Sequence, residues 1–122
     1  MKNYGSYHTI DPSYIFSMAD SEEGFVITII NTFLETVPTR VQKLSEAVNT
    51  NNVEDIIFIA HTLKGSFRFI GSTHLANIIE KIEQEYKNKK NGENIPGLLS
   101  EALGIYTKVE LELKELLSTI KS

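Results

Sequence analysis

Apolar residues recur at three- and four-residue steps along almost the whole chain, and strand-like alternation is absent. The Asp11-Pro12 pair reads as an N-cap with proline at the first helical position, opening a short helix through Met18. Asp20 and Glu23 read as a cap-and-return pair that opens a second helix. Its inward side is Val26, Ile29, Ile30, Phe33, Val37, Leu44 and Val48. Pro38 falls inside this run, and because the pattern resumes in phase beyond it, a kink is expected rather than a break. After the loop Asn49-Thr50-Asn51-Asn52, Asn52 with Asp55 caps a third helix that buries Ile56, Ile59, Ala60, Leu63, Phe67 and Ile70. Gly71, Ser72 and Thr73 end it, and a fourth helix buries Leu75, Ile78, Ile79, Ile82 and Tyr86. A turn-rich loop through Asn91-Gly92-Glu93-Asn94 and Pro96-Gly97 leads to a last helix burying Leu99, Ala102, Tyr106, Val109, Leu113, Leu116 and Ile120. The expected fold is all-α: an up-down-up-down four-helix bundle with the short N-terminal helix capping one end.

Composition narrows what such a bundle can do. The chain has 122 residues, the size of one domain spanning 1–122, with residues 1–10 expected to be a flexible N-terminal segment. It has no cysteine, which removes disulfides, thiolate metal sites and thiol catalysis. The formal charge of -4 and the lack of a basic face beyond Lys87-Asn88-Lys89-Lys90 argue against a nucleic-acid partner. That run reads as a solvated helix end that complements the helix dipole. No apolar run reaches membrane length and no signal core is present, so a cytoplasmic protein with no membrane partner is expected.

Candidate chemistry concentrates at Ala60-His61-Thr62-Leu63-Lys64-Gly65-Ser66. On a helical wheel, His61 projects roughly 140° away from the apolar side of its helix. Lys64 and Arg68 fall within about 60° of it and Gly65 within about 40°. A neutral imidazole, with an ordinary pKa near 6.5, is a good nucleophile at neutral pH. Phosphorylated on nitrogen it would gain a charge approaching -2, which Lys64, and Arg68 a turn further on, are placed to balance. Glycine weakens a helix interior by about 1 kcal/mol relative to alanine, so Gly65 on an outward face suggests room left for another protein. Ile57, one turn before His61, extends this sector as an apolar docking patch. The other histidines have plainer settings: His8 in the polar N-terminal segment and His74 in a first helical turn, as surface or capping residues.

These residues carry a family likeness. The run from Ala60 to Ser66, then Ile70-Gly71, Leu75-Ala76 and Ile82-Glu83, resembles the signature of histidine-containing phosphotransfer (HPt) domains. Asp11-Pro12-Ser13-Tyr14, Phe33-Leu34-Glu35 and Val37-Pro38 are similar to that family's N-terminal half. The resemblance implies a phosphorelay intermediate that accepts a phosphoryl group on His61 from a receiver-domain aspartyl phosphate and passes it to another receiver domain. It implies supporting positions at Lys64 and Gly65, and at Glu83 an acidic group that orients the imidazole. Glu83 lies about 80° off the core direction of its own helix, at the flank where such a contact is possible. Arg68 is outside the signature, and its supporting role rests on the wheel alone. Phe67 stands where small residues are frequent, and Phe69 projects outward, in reach of the first helix.

The resulting expectation is a phosphocarrier, not an autonomous kinase, because no glycine-rich phosphate loop or nucleotide motif is present. It would need no cofactor of its own; the magnesium would sit in the partner receiver domain. Partners would be response-regulator receiver domains, a hybrid sensor histidine kinase, or both, with the chain itself a monomer. Met1 and the compact length favour a free-standing protein over a piece of such a kinase. Two rivals stand against this reading. One is a helical interaction module that is never phosphorylated, which would need Lys64 or Gly65 to be missing. The other is a metal-binding bundle using His61, Glu80 and Glu83, which lacks a second histidine at four-residue spacing and sets Lys64 and Arg68 against a dication.

Overall fold

The computed structural model describes residues 7–88 and 93–122. The start of the polar N-terminal segment (1–6), Lys89-Lys90 of the basic run and Asn91-Gly92 of the turn-rich loop lie outside the described residues. Five helices follow one another: α1 (Pro12–Met18), α2 (Glu23–Asn49), α3 (Val53–Phe69), α4 (Thr73–Lys87) and α5 (Ile95–Lys121). Helices α2 to α5 form the four-helix bundle, each packed on its chain neighbours and α5 closing back on α2, while α1 lies against α2. Among the described residues there is no strand, and no helix is long and apolar enough to cross a membrane.

The turns explain why the helices stop where they do. At the end of α3 the Gly71 amide donates to Arg68 O and the Ser72 amide to Phe67 O, a Schellman pair that needs the left-handed φ of +76° at Gly71. The same pair of bonds closes α2 through Asn51 (φ 53°) and α1 through Asp20 (φ 52°). This corrects the reading of Asp20 as the N-cap of the second helix. Its backbone is used to end α1, and α2 starts at Glu23 behind Glu22, which makes no side-chain cap. Asp11 and Asn52 do cap, accepting from the Tyr14 and Asp55 amides.

Of two prolines, Pro38 leaves its helix unbroken, as expected, and Pro96 departs from its expected loop. Helix α2 runs as one element through Pro38, since losing one amide donor is tolerated where both flanks bury apolar residues. Pro96, placed in a loop by its Pro-Gly pairing, lies in the first turn of α5, where an amide would have no helical partner anyway. Residues 7–10 are also not free: Ile10 is buried, and the Thr9 amide donates to Glu112 Oε1 at 2.9 Å.

The core follows the sequence pattern closely. Val41 and Ala47 join the inward side of α2, while Ile29, Val48, Ile59, Tyr86 and Leu99 are only partly covered. A row of rings, Phe33–Phe67–Tyr106, with centroids 6.1 and 6.0 Å apart, ties α2, α3 and α5 together. This gives Phe67, large where the family prefers small, a structural place. The Tyr106 hydroxyl is buried with no hydrogen-bond partner among the described residues, and burial pushes the phenol pKa up.

Two stability outcomes follow. A Cβ at Gly71 would collide with Asp11 and would sit at positive φ. Gly71→Ala should therefore destabilise by at least about 1–3 kcal/mol in denaturant melts; wild-type stability would contradict this account of the α3–α4 turn. Tyr106→Phe removes a buried donor that bonds to nothing, so stability should hold or rise; a loss above about 1 kcal/mol would show that the hydroxyl has a partner.

Candidate functional site

The Gly71 turn sets α4 antiparallel to α3 and brings residues 61 and 83 face to face. His61 sits in the middle of α3 with 67% of its side chain exposed, whereas Glu83 of α4 is 0% exposed. His61 Nδ1 lies 3.1 Å from Glu83 Oε2. Lys64 Nζ lies 2.8 Å from Glu83 Oε1. Lys87 Nζ lies 2.9 Å from Oε2. One buried carboxylate thus receives an imidazole and two ammonium groups.

Its protonation state is decided by opposed effects. Burial pushes the Glu83 carboxyl up, but hydrogen bonds from Lys64, Lys87 and His61 together outweigh it and bring it down to about 2. An ionised carboxylate can only accept, so the Nδ1 facing it must carry the proton. In the neutral imidazole the lone pair then resides on Nε2, the nitrogen on the outward side of the ring. The chemical capacity of the site is a nucleophilic Nε2 facing solvent, with a fixed negative charge behind the ring to stabilise positive charge that develops on it.

The sequence-derived candidates take different places. Glu83 holds His61 as the family resemblance implied. Lys64, expected to balance a phosphoryl group on His61, is only 12% exposed and leans onto α4, where it also reaches Glu80 at 3.6 Å. Its stem is long enough to fold over the neighbouring helix, and a buried carboxylate attracts it more strongly than water does. Arg68 goes the same way: its guanidinium, half exposed, lies 3.4 Å from Glu80 Oε2. Gly65 does leave open space, with nothing within 4 Å of where a Cβ would stand. Ile57 is half-buried and, with an almost bare Phe58 (73% exposed), Glu54, Glu83 and Lys87, lines a shallow depression beside His61. Phe69 is exposed and lines a groove between α2 and α3.

Lys87 was missed, read only as part of a solvated basic end. Its signal was present: a lysine four residues after a glutamate on one helix face pairs with it. Among the described residues no group of three or more His, Asp or Glu could hold a metal ion. His74 reaches Glu101 at 3.8 Å, exposed on the surface.

The low Glu83 pKa has a definite pH signature. A carboxyl ordinarily near 4.5 that is held near 2 in the folded state stabilises the fold fully above about pH 4.5, and this contribution is lost as pH falls towards 2. Glu83→Gln should therefore lower stability at neutral pH and flatten the unfolding free energy between about pH 4.5 and 2. An unchanged acid limb would show that Glu83 titrates normally.

Comparison with known proteins identifies the family and the fold. The Hpt domain family model matches residues 28–122. The phosphorelay intermediate protein YPD1 of Candida albicans is 32% identical over 82 residues, covering 67% of this chain. The aligned part spans 44% of that protein's own length. In shape the chain is similar to the crystal structure of histidine-containing phosphotransfer protein B (HptB) from Pseudomonas aeruginosa. The TM-score is 0.83 over 93% of this chain and 97% of that one, at 18% identity, a likeness of fold.

Proposed function

The chain belongs to the Hpt domain family, and from that premise we propose that it is a phosphorelay intermediate with His61 as its phosphoacceptor. The observation that carries this is the pairing of an exposed imidazole with a buried, ionised Glu83 at its inner nitrogen.

In the forward step the Nε2 lone pair attacks phosphorus of an aspartyl phosphate on a receiver domain. The phosphorus–oxygen bond to the aspartate breaks, and the carboxylate leaves on the receiver. The ring becomes cationic while it keeps its Nδ1 proton, and the Glu83 carboxylate 3.1 Å behind it lowers the energy of that charge. In the return step another receiver's aspartate takes the phosphoryl group and the neutral imidazole is restored. This chain supplies the nucleophile, its tautomer and a docking face; the magnesium that neutralises the phosphoryl oxygens belongs to the receiver. The chain carries the group without nucleotide chemistry of its own.

Lys64 and Lys87 act through Glu83. By holding its two oxygens they keep the carboxylate ionised and in register with the ring, a positioning role. Lys64 also brings positive charge within one helical turn of the transferred group. The monomeric state and a metal-free site are part of the same proposal.

Incubation with a receiver domain loaded by acetyl phosphate should place an acid-labile, base-stable label on the wild-type chain and none on His61→Gln. Equal labelling of His61→Gln would remove the assignment. Lys64→Ala should slow transfer or shorten the phosphohistidine lifetime, by on the order of tenfold, with the helical signal retained. Unchanged kinetics in both directions would take Lys64 out of the mechanism.

A further inference from the structure

The α3–α4 side of His61 is crowded with charge: Lys64, Arg68 and Lys87 are all engaged with Glu80 or Glu83. Covering that side would strip water from a network of fixed ions, which is costly. The α2–α3 side is different. A groove of about 430 Å³ runs there, lined by Thr28, Thr36, Gly65, Ser66 and Phe69 and ending at Arg40. Three of its hydroxyls are already used: Thr28 donates to Gly24 O, Thr36 to Thr32 O and Ser66 to Thr62 O. Hydroxyls turned back onto their own helices leave the groove with little demand for hydrogen bonds, and Gly65 keeps its floor low one turn from His61.

Arg40 is the charged exception. The Phe33–Phe67 contact sets the register of antiparallel α2 and α3, and Arg40, seven residues beyond Phe33, comes level with His61, seven residues from Phe67 within a position. Lys43 follows one turn on, along the same exposed flank of α2. Among the described residues neither Arg40 nor Lys43 has a carboxylate within ion-pair distance, unlike Lys64, Arg68 and Lys87.

We infer that Arg40 is a specificity-determining residue: it selects a receiver domain that lies along the α2–α3 groove and sets a carboxylate against it. This deepens the phosphotransfer reading and rests on it. The partner that brings an aspartyl phosphate presents an anionic face, and this chain carries a net charge of -4. An unpaired cation at the rim of the site is what turns a repelled encounter into an oriented one. Arg40 stands on a different helix from His61, so it acts on docking and leaves the phosphoryl chemistry to His61 and Glu83.

The test compares wild type with Arg40→Glu, Arg40→Ala and Arg40→Lys as acceptors from receiver domains loaded with acetyl phosphate, at varied receiver concentration and salt. Arg40→Glu should raise the receiver concentration for half-maximal transfer about tenfold and flatten its salt dependence, with Arg40→Ala intermediate and Arg40→Lys close to wild type. The rate at saturating receiver should change by less than about twofold. A saturating rate that falls while half-saturation holds would overturn the inference, as would wild-type behaviour of Arg40→Glu at every concentration. So would a groove occupied by a second copy of the chain, seen as a change in sedimentation in Arg40→Glu with transfer untouched. If wild-type His61 takes no label from any receiver, the phosphotransfer reading fails first and this inference falls with it; labelling of wild type with no effect at Arg40 fails this inference alone.

Discussion

A carboxylate with none of its surface in water accepts from an imidazole and two lysines, and the site depends on that arrangement. Without Lys64 and Lys87, burial would favour the protonated acid, which could donate to Nδ1 and reverse the tautomer. Without burial, water would compete for the carboxylate oxygens and the ring would be free to turn. The two requirements meet only because the α3–α4 turn holds the helices in fixed register. Gly71 is therefore linked to the chemistry at His61, though it lies ten residues away along the chain.

The bundle supplies the rest of the mechanism by keeping its parts separate. The Phe33–Phe67–Tyr106 row fixes α3 from inside, so that the opposite face of the same helix can leave His61 exposed and Gly65 bare. The fixed charges gather on the α4 side and the apolar groove opens on the α2 side. A partner can then approach from one side while the imidazole is oriented from the other. A histidine that exchanges a phosphoryl group with successive partners, as proposed, would need this separation, because the docked partner would change while the orienting group must not.

Much of this was legible in the sequence. The apolar steps gave the helices and most of the core, since burial on one face is what those steps mean. The caps at Asp11 and Asn52 were readable because a short polar side chain before an apolar run has one good use there. Asp20 was misread for the same reason: the same residue types also suit a left-handed turn, and the backbone of α1 claimed it. At the site, the wheel placed His61, Lys64 and Arg68 by their Cα directions. It had no means of knowing that long side chains would bend onto carboxylates of a neighbouring helix. Lys64 and Arg68 were turned aside for that reason, and Lys87 was overlooked although its four-residue spacing from Glu83 was readable, because only the folded bundle buries Glu83.

The central claim is that Glu83 holds the His61 proton on Nδ1 and leaves Nε2 to react. The most direct measurement is nitrogen-15 and phosphorus-31 NMR of the chain after phosphorylation, reading which ring nitrogen couples to phosphorus. The account predicts phosphorus on Nε2 of His61 with a proton signal retained at Nδ1. Phosphorus on Nδ1, or on another residue, would contradict it.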